Sequence, residues 1–278
     1  MTDIGLVWIR EDFRIENNAA LSYATQNHKN VIAFFIYNNN DYDNKREAQK
    51  WWLSRSLENF KKDLSNYQIN LQIVSGDEVD IFSKIKKKDN VSIYWNKIYE
   101  PDVISKGKKI RDIFIKNEIN YKYFKGNILN EFQEVTKNDK TPFKVFTPFW
   151  RTAEKIYLSL PPSKNYIIKK KSLIKSFFKN CITPNDILPK KTWHKKFEKY
   201  WKVSENDSKK ILKDLIENKI KDYGTSRDIP SVAGTSKLSP YIKFGQIHVG
   251  TIWKKCNEIR SKGNGYRKYI NELGWREF

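Results

Sequence analysis

The chain has 278 residues, 39% of them hydrophobic, which is enough apolar material for one large domain or two ordinary ones. No apolar run approaches the roughly 18 residues that a membrane span needs, and the beginning does not resemble a signal peptide. We therefore expect a cytoplasmic monomer without a membrane partner. The formal net charge of +21 favours a phosphate-rich partner such as nucleic acid. An abundance of Lys, Asn and Ile along the whole chain is an equally good explanation of that charge.

In the first 130 residues, short runs rich in β-branched residues alternate with segments of helical period. The clearest helices are Arg46–Leu64 and Val103–Glu118. This alternation predicts an α/β fold with a parallel, doubly wound, Rossmann-like sheet. The predicted strands are Ile4–Ile9, Val31–Tyr37, Leu71–Val74, Val91–Trp95 and Tyr121–Phe124.

The turn after the first predicted strand reads Arg10-Glu11-Asp12, without the glycines that cradle a dinucleotide, and no Walker-type lysine motif occurs in the sequence. Ordinary dinucleotide and nucleoside triphosphate domains are therefore excluded. The two cysteines, Cys181 and Cys256, lie too far apart for metal-ligand spacing, and the three histidines are equally scattered. We expect no metal site and interpret both cysteines as reduced thiols in or near the core.

Residues 131–190 are rich in proline and lysine and predict an irregular connector between the α/β domain of residues 1–130 and a second domain. From residue 191 to residue 278 the pattern is helical. The segments Glu205–Asn218 and Ile247–Ile259 are its clearest helices.

A hydroxyl-rich loop, Gly234-Thr235-Ser236-Lys237-Leu238, precedes a helix start at Ser239-Pro240. Small hydroxyl side chains and free backbone N–H groups at such a place can hold a phosphate or diphosphate. The alternative is an ordinary helix cap.

At the end of the sequence Glu272, Trp275 and Arg276 are spaced i, i+3 and i+4, so one helical face would carry a carboxylate, an indole and a guanidinium. Such a face can stack a base and bind its edge or a phosphate. The alternative is a surface ion pair beside a half-buried tryptophan.

Seven segments, in order, resemble motifs of the DNA photolyase and cryptochrome family of flavin-dependent blue-light proteins. The similarity extends over almost the whole sequence, with departures such as Phe13 and Asn17 in the opening motif. The matching segments are Val7–Arg14, Asn18–Leu21, Tyr99–Pro101, Arg111-Asp112, Lys144–Trp150, Tyr223–Pro240 and Glu272–Phe278.

The resemblance implies an amino-terminal α/β antenna domain, a connector and the first part of an all-helical domain that binds FAD. It further implies that the chain ends before the helices that complete the flavin pocket, so that the chain alone would hold FAD weakly or not at all. The implied FAD-binding residues are Tyr223, Thr235, Ser236, Lys237, Leu238 and Ser239.

The resemblance also implies light-driven repair of cyclobutane pyrimidine dimers in UV-damaged DNA, by electron transfer from photoexcited reduced FAD. The implied lesion- and DNA-binding residues are Arg227, Glu272, Trp275 and Arg276. A cryptochrome photoreceptor, a photolyase for (6-4) photoproducts and a non-catalytic nucleic-acid-binding α/β protein are the alternatives. Asn96 and Glu100 match positions that contact an antenna chromophore, a folate or deazaflavin, in some family members.

Overall fold

The computed structural model describes residues 3–42, 46–159, 166–174, 176–259 and 263–278. The chain divides into two compact units, each assembled from separate stretches of sequence. The first unit contains residues 1–126, 166–207 and 243–246, and the second contains residues 127–165, 208–242 and 247–278.

The first unit is built on a six-stranded sheet with the strand order β5-β4-β1-β2-β3-β6. The first five strands are parallel, and β6 pairs antiparallel with β3 at the edge. The parallel α/β prediction is therefore confirmed, and each predicted strand agrees with an observed strand to within one residue at either end. The strands are β1 (Ile4–Ile9), β2 (Asn30–Tyr37), β3 (Asn70–Ser75), β4 (Val91–Asn96), β5 (Asn120–Phe124) and β6 (Cys181–Ile182).

Nearly every residue of β1 and β2 is buried, as expected for parallel strands that are covered on both faces. Phe34, Phe82 and Phe114 lie at the centre of the core and are completely buried. The predicted helices of this region occur as α2 and α4, displaced by one or two residues. The helices of the first unit are α1 (Ala19–Asn27), α2 (Glu47–Ser65), α3 (Glu78–Ser83) and α4 (Pro101–Lys116).

The segment predicted as an irregular connector, residues 131–190, contains the helix α5 (Phe146–Ser159) and the edge strand β6. Its residues 160–165 and 175 lie outside the described residues. Its first part belongs to the second unit and its last part to the first unit. Cys181, expected in or near the core, is exposed on β6, because an edge strand leaves side chains open to solvent, whereas Cys256 is buried.

The second unit is helical. The predicted helix Glu205–Asn218 occurs as α6 followed by a π-helical turn at Leu215–Lys219, and Ile247–Ile259 occurs as the shorter α9. No helix in the described ranges is long and apolar enough to cross a membrane. The remaining helices are α6 (Glu205–Asp214), α7 (Tyr223–Ser226), α8 (Ser239–Lys243), α9 (Val249–Asn257) and α10 (Asn264–Glu277).

Candidate functional site

The packing of α7 against α10 brings together a cationic, an acidic and an aromatic side chain of the second unit. Arg227 forms an ion pair with Glu272 of α10, and its guanidinium lies 5.4 Å from the centre of the Tyr223 ring. Hydrogen bonding to Glu272 raises the pKa of Arg227. Tyr223 is itself buried and packs edge-on against Tyr269, with ring centres 5.0 Å apart. We call Tyr223, Arg227 and Glu272 the α7–α10 cluster.

The hydroxyl-rich loop belongs to the same unit as this cluster. Gly234 approaches the backbone carbonyl of Ser226 so closely that a Cβ atom would collide with it. Tyr269 hydrogen-bonds Ser236, which ties the loop to α10, although burial of the Tyr269 ring is what mainly raises the pKa of that phenol. The loop is therefore held next to α7 and α10 by backbone contact and by one hydrogen bond.

The six residues predicted to bind FAD differ in what they present to solvent. Thr235, Lys237 and Ser239 are exposed, while Ser236 is half-buried. Lys237 has a φ of +55°, in the left-handed region, so the backbone turns sharply at this exposed residue. Leu238 is completely buried, so its side chain belongs to the core and its backbone alone can contact a ligand.

Trp275 lies one turn beyond Glu272 on α10 and is 53% exposed. One face of its indole is stacked on Phe146, with ring centres 3.7 Å apart and an interplanar angle of 8°. A base or lesion can therefore stack on the opposite face only. Sequence reasoning missed Phe146, although it lies within the segment Lys144–Trp150 that matches a family motif.

Arg276 does not present its guanidinium beside Glu272 and Trp275, contrary to the expectation of a shared face. Its Nη2 donates to the carbonyl of Asn127 at 2.6 Å and its Nη1 to Oε1 of Glu277 at 2.8 Å. Glu277 is buried and its Oε2 accepts from the backbone N–H of Leu129 at 2.6 Å. Arg276 and Glu277 thus fix the segment around residues 127–129, a role that the spacing of the residues could not show.

A cavity of about 590 Å³ opens in the first unit where β1 and β2 end and α4 begins. Lys243 reaches Glu11 and Glu100 at 2.5 and 2.6 Å, and Lys106 reaches Glu78 at 2.5 Å. Burial raises the pKa of Glu11, and the neighbouring ammonium of Lys243 opposes that rise. Ion pairs therefore hold these partly exposed charges in position on the cavity lining.

Arg10 also lines this cavity. Its guanidinium lies 4.4 Å from the centre of the Trp8 ring, and no carboxylate of the described residues forms an ion pair with it. Burial lowers the pKa of Arg10 to about 10. The charges of Asp12, Glu78, Glu11 and Glu100 oppose this fall, so an anionic ligand would add a direct contact rather than the first negative charge near this guanidinium.

Of the two predicted antenna residues, Glu100 lines this cavity and Asn96 does not. The buried amide of Asn96 donates to Asp12 at 2.6 Å and to Asn18 at 2.9 Å, and accepts from the backbone N–H of Ala20 at 3.2 Å. The hydrogen-bonding groups of Asn96 are occupied within the protein, so this side chain anchors the turn after β1.

The fold is shared with photolyases of known structure. A bacterial class III photolyase from Agrobacterium tumefaciens matches with a TM-score of 0.87 and 26% identity, covering 100% of this chain and 58% of that chain. An archaeal photolyase from Sulfolobus tokodaii, described with two FAD molecules, matches with a TM-score of 0.73 and 21% identity, covering 99% of this chain and 58% of that one. These likenesses define the class of fold.

The family follows from the sequence match. The model for DNA photolyase matches residues 5–166, and the chain belongs to this family. A deoxyribodipyrimidine photo-lyase of Agrobacterium fabrum is 28% identical over 282 residues, covering 98% of this chain and 57% of the relative. Cryptochrome-1 of Arabidopsis thaliana is 25% identical over 277 residues, covering 97% of this chain and 40% of the relative. The chain thus spans little more than half of the photolyases that it resembles.

Proposed function

We propose that this chain carries the flavin-phosphate and lesion-facing parts of a deoxyribodipyrimidine photolyase, a carbon–carbon lyase that repairs cyclobutane pyrimidine dimers in UV-damaged DNA. One observation carries the proposal: the α7–α10 cluster places Arg227 and Glu272 together, one helical turn from the exposed indole of Trp275. The names of the photolyase relatives support it.

The lesion-facing residues match the chemistry of an extruded pyrimidine dimer. Photolyases are known to take their target base out of the duplex, and a flipped dimer needs an apolar wall, a partner for its base edges and a cation for the flanking phosphates. Trp275 supplies the wall and Glu272 the acceptor. Arg227 fixes the carboxylate of Glu272 through one oxygen, and the other oxygen has no partner among the described residues.

The loop residues fit the diphosphate of FAD. Lys237 supplies an exposed cation, Thr235 and Ser239 supply exposed hydroxyls, and the backbone is brought close by Gly234. Tyr223 is buried beneath this region, where it supports α7 against α10. When bound in its reduced form, the flavin supplies the photoexcited electron for ring cleavage, so this chain need supply only binding and orientation.

Titration with FAD, followed through quenching of flavin fluorescence, tests the cofactor site. We expect weak, saturable binding that Lys237→Glu weakens at least tenfold, because the substitution puts a negative charge beside the diphosphate. Lys254→Glu, at another exposed lysine of the same unit, makes the same change of charge and should leave binding unaltered. Equal weakening by both variants would rule out this loop as the phosphate site.

Binding to an oligonucleotide with a single cyclobutane thymine dimer tests the lesion site. We expect tighter binding than to the undamaged oligonucleotide, and a loss of roughly fivefold or more of that preference in Trp275→Ala, since base stacking is worth about 1–3 kcal/mol. The control is Phe132→Ala, which removes an aromatic ring of the same unit that is 54% exposed, against 53% for Trp275. An unchanged preference in Trp275→Ala contradicts the proposal.

A cryptochrome-type photoreceptor is the second candidate, favoured by the similarity to Arabidopsis cryptochrome-1. Illuminating the complete protein in the presence of dimer-containing DNA separates the two. A photolyase removes the dimers in blue light, whereas a photoreceptor leaves their number constant. A non-catalytic nucleic-acid-binding protein would bind DNA without retaining flavin.

We also propose that the cavity of the first unit holds an antenna chromophore of the folate or deazaflavin class. Support comes from Glu100 on its lining and from the Arg10 guanidinium, which lacks a carboxylate partner within the described part of the chain. Titration with a reduced folate, monitored by its fluorescence, should show binding that Arg10→Ala reduces and that Lys88→Ala, at an exposed lysine outside the cavity lining, does not. Equal binding of the folate by both variants would contradict the proposal that this cavity is the chromophore site.

A further inference from the structure

A strongly basic stretch of the first unit lies outside all of these sites. We call residues 190–202 the basic ledge. It contains six lysines and one acidic residue, Glu198, so nearly half of its residues are lysine, although Lys and Arg together make up 53 of 278 residues in the whole chain. All six lysines are exposed: Lys190, Lys191, Lys195, Lys196, Lys199 and Lys202.

The basic ledge is held in place by aromatic side chains on its inner face. Its 3₁₀ helix, Thr192–Lys199, carries Phe197, whose ring lies 5.2 Å from that of Trp51 on α2. Trp193 donates to Glu47, the first residue of α2, at 2.7 Å. Trp201 continues the same contact, with its ring 5.3 Å from Trp52. The lysines are therefore displayed on a fixed surface of the first unit.

Most of the positive charge of the basic ledge has no ion-pair partner among the described residues of the unit. Glu198 pairs with Arg55 at 2.7 Å, and Lys202 donates to the backbone carbonyl of Glu198 at 3.4 Å. The other five lysines of the ledge form no ion pair or side-chain hydrogen bond with any residue in the described ranges. Elsewhere in the unit, by contrast, exposed Lys87 pairs with Glu118. Repulsion among the five ammonium groups disfavours this arrangement unless anions lie nearby.

Tyr200 adds an aromatic surface to these charges. It is 79% exposed and its ring stacks on no other ring of the described structure. It lies between Lys199 and Lys202, so a flat apolar face stands among cations spaced along the chain. Basic grooves that carry aromatic rings are the usual means of holding single-stranded nucleic acid, because the rings stack bases while the cations contact phosphates.

We propose that the basic ledge binds single-stranded nucleic acid, with its lysines on the phosphates and Tyr200 stacked on a base. This site is separate from the α7–α10 cluster and requires neither flavin nor a lesion. The phosphates of duplex DNA could contact the lysines, but its bases could not stack on Tyr200, since they are already stacked on each other. The exposed Tyr200 therefore favours a single strand over a duplex.

Fluorescence anisotropy of an undamaged 20-nucleotide single strand, measured in the dark between 50 and 200 mM salt, tests the proposal. Each phosphate contact contributes about 0.7 to the slope of log affinity against log salt concentration for single strands. Lys195→Ala, Lys196→Ala and Lys199→Ala combined should therefore reduce that slope by about 2. Tyr200→Ala should weaken binding roughly fivefold or more, and Tyr200→Phe should retain it.

The control for net charge is the triple variant Lys108→Ala, Lys109→Ala and Lys116→Ala, which removes three exposed lysines of α4 in the same unit. It should leave the salt slope unchanged. An equal loss of slope in both triple variants, full binding by Tyr200→Ala, or equal affinity for duplex and single strand would each overturn the proposal. Circular dichroism of every variant separates loss of binding from loss of fold.

Discussion

Residue 274 is a glycine in the last turn of α10, although glycine is disfavoured by roughly 1 kcal/mol relative to alanine within helices. The structure supplies the reason: a Cβ atom at Gly274 would lie 2.5 Å from Cδ2 of Trp150. The indole of Trp150 is buried against this glycine and donates to Asn271 of the same helix at 3.2 Å. The missing side chain thus lets α5 approach the helix that carries Glu272 and Trp275.

Gly274→Ala should destabilise the second unit by about 1–3 kcal/mol, the usual cost of overpacking a core. Urea unfolding followed by circular dichroism measures the change. Gly224→Ala is the control within the same unit, because a Cβ atom there meets Lys268 only at 4.0 Å. An unchanged free energy of unfolding in Gly274→Ala would mean that the Trp150 side chain can shift to make room for the added methyl group.

Cys256 and Cys181 should differ in reactivity, since Cys256 is buried and Cys181 is exposed. A thiol reagent at pH 8 should modify one thiol of the native chain and two after unfolding, and none in native Cys181→Ser. Modification of two thiols in the native protein would contradict the burial of Cys256.

Burial of Cys256 also predicts a dependence of stability on pH. Burial raises the pKa of this thiol from 9.0 to about 12, so the native state keeps a proton that the unfolded chain releases. The stabilisation is fully present below pH 9 and is lost as the pH rises toward 12. The free energy of unfolding should therefore fall faster above pH 9 in the natural chain than in Cys256→Ala, by at most about 1.4 kcal/mol per pH unit. If the free energy of unfolding depends on pH in the same way in both proteins, the Cys256 thiol does not cause the loss of stability above pH 9.

At the scale of elements, α10 is joined to the segment around residues 127–129 by a buried carboxylate. Glu277 accepts from the N–H of Leu129 and from Arg276. The position of Glu277 in the sequence indicates only a charged residue at a helix end.

The helix α5 was also not predicted from the sequence, because Pro148 suggested an irregular segment. Pro148 lies in the first turn of α5, where a missing N–H group breaks no helical hydrogen bond.

Glu277→Gln should destabilise the second unit by about 1–3 kcal/mol, because a buried acceptor of charge-assisted hydrogen bonds becomes a neutral amide. Glu258→Gln makes the same change at the exposed pair with Lys255 on the same unit. That control should stay within about 0.5 kcal/mol. An equal shift of the urea midpoint in both variants would show that burial does not increase the contribution of Glu277 to stability.

At the scale of the whole molecule, the two units do not follow the linear order 1–130, 131–190 and 191–278 that the sequence predicts. Residues 166–207 join the first unit. Antiparallel pairing of β6 with β3 and side-chain contacts from Gln72 hold this returning segment. The Gln72 amide donates to Ser176 at 2.7 Å, and its oxygen accepts from the N–H of Phe177 at 2.8 Å.

Gln72→Ala should release this segment, because five polar groups of residues 176–181 lose a partner and a buried side chain is removed. We expect a loss of about 1–3 kcal/mol and faster proteolysis within residues 176–182. Gln49→Ala, at an exposed glutamine of α2 in the same unit, is the control and should leave the cleavage rate unchanged. An unaltered rate of proteolysis in Gln72→Ala would mean that the pairing of β6 with β3 alone holds this segment.

The sequence by itself determined the strands, the major helices and the family resemblance, because period, β-branching and ordered motifs are local properties of the chain. It also placed Glu272 and Trp275 on one helix and the hydroxyl loop before another. Only the tertiary structure decided that Arg227 pairs with Glu272, that Phe146 covers one face of Trp275 and that Arg276 turns to Asn127. These contacts join residues distant in the chain, and their geometry depends on how helices pack, which no local pattern encodes.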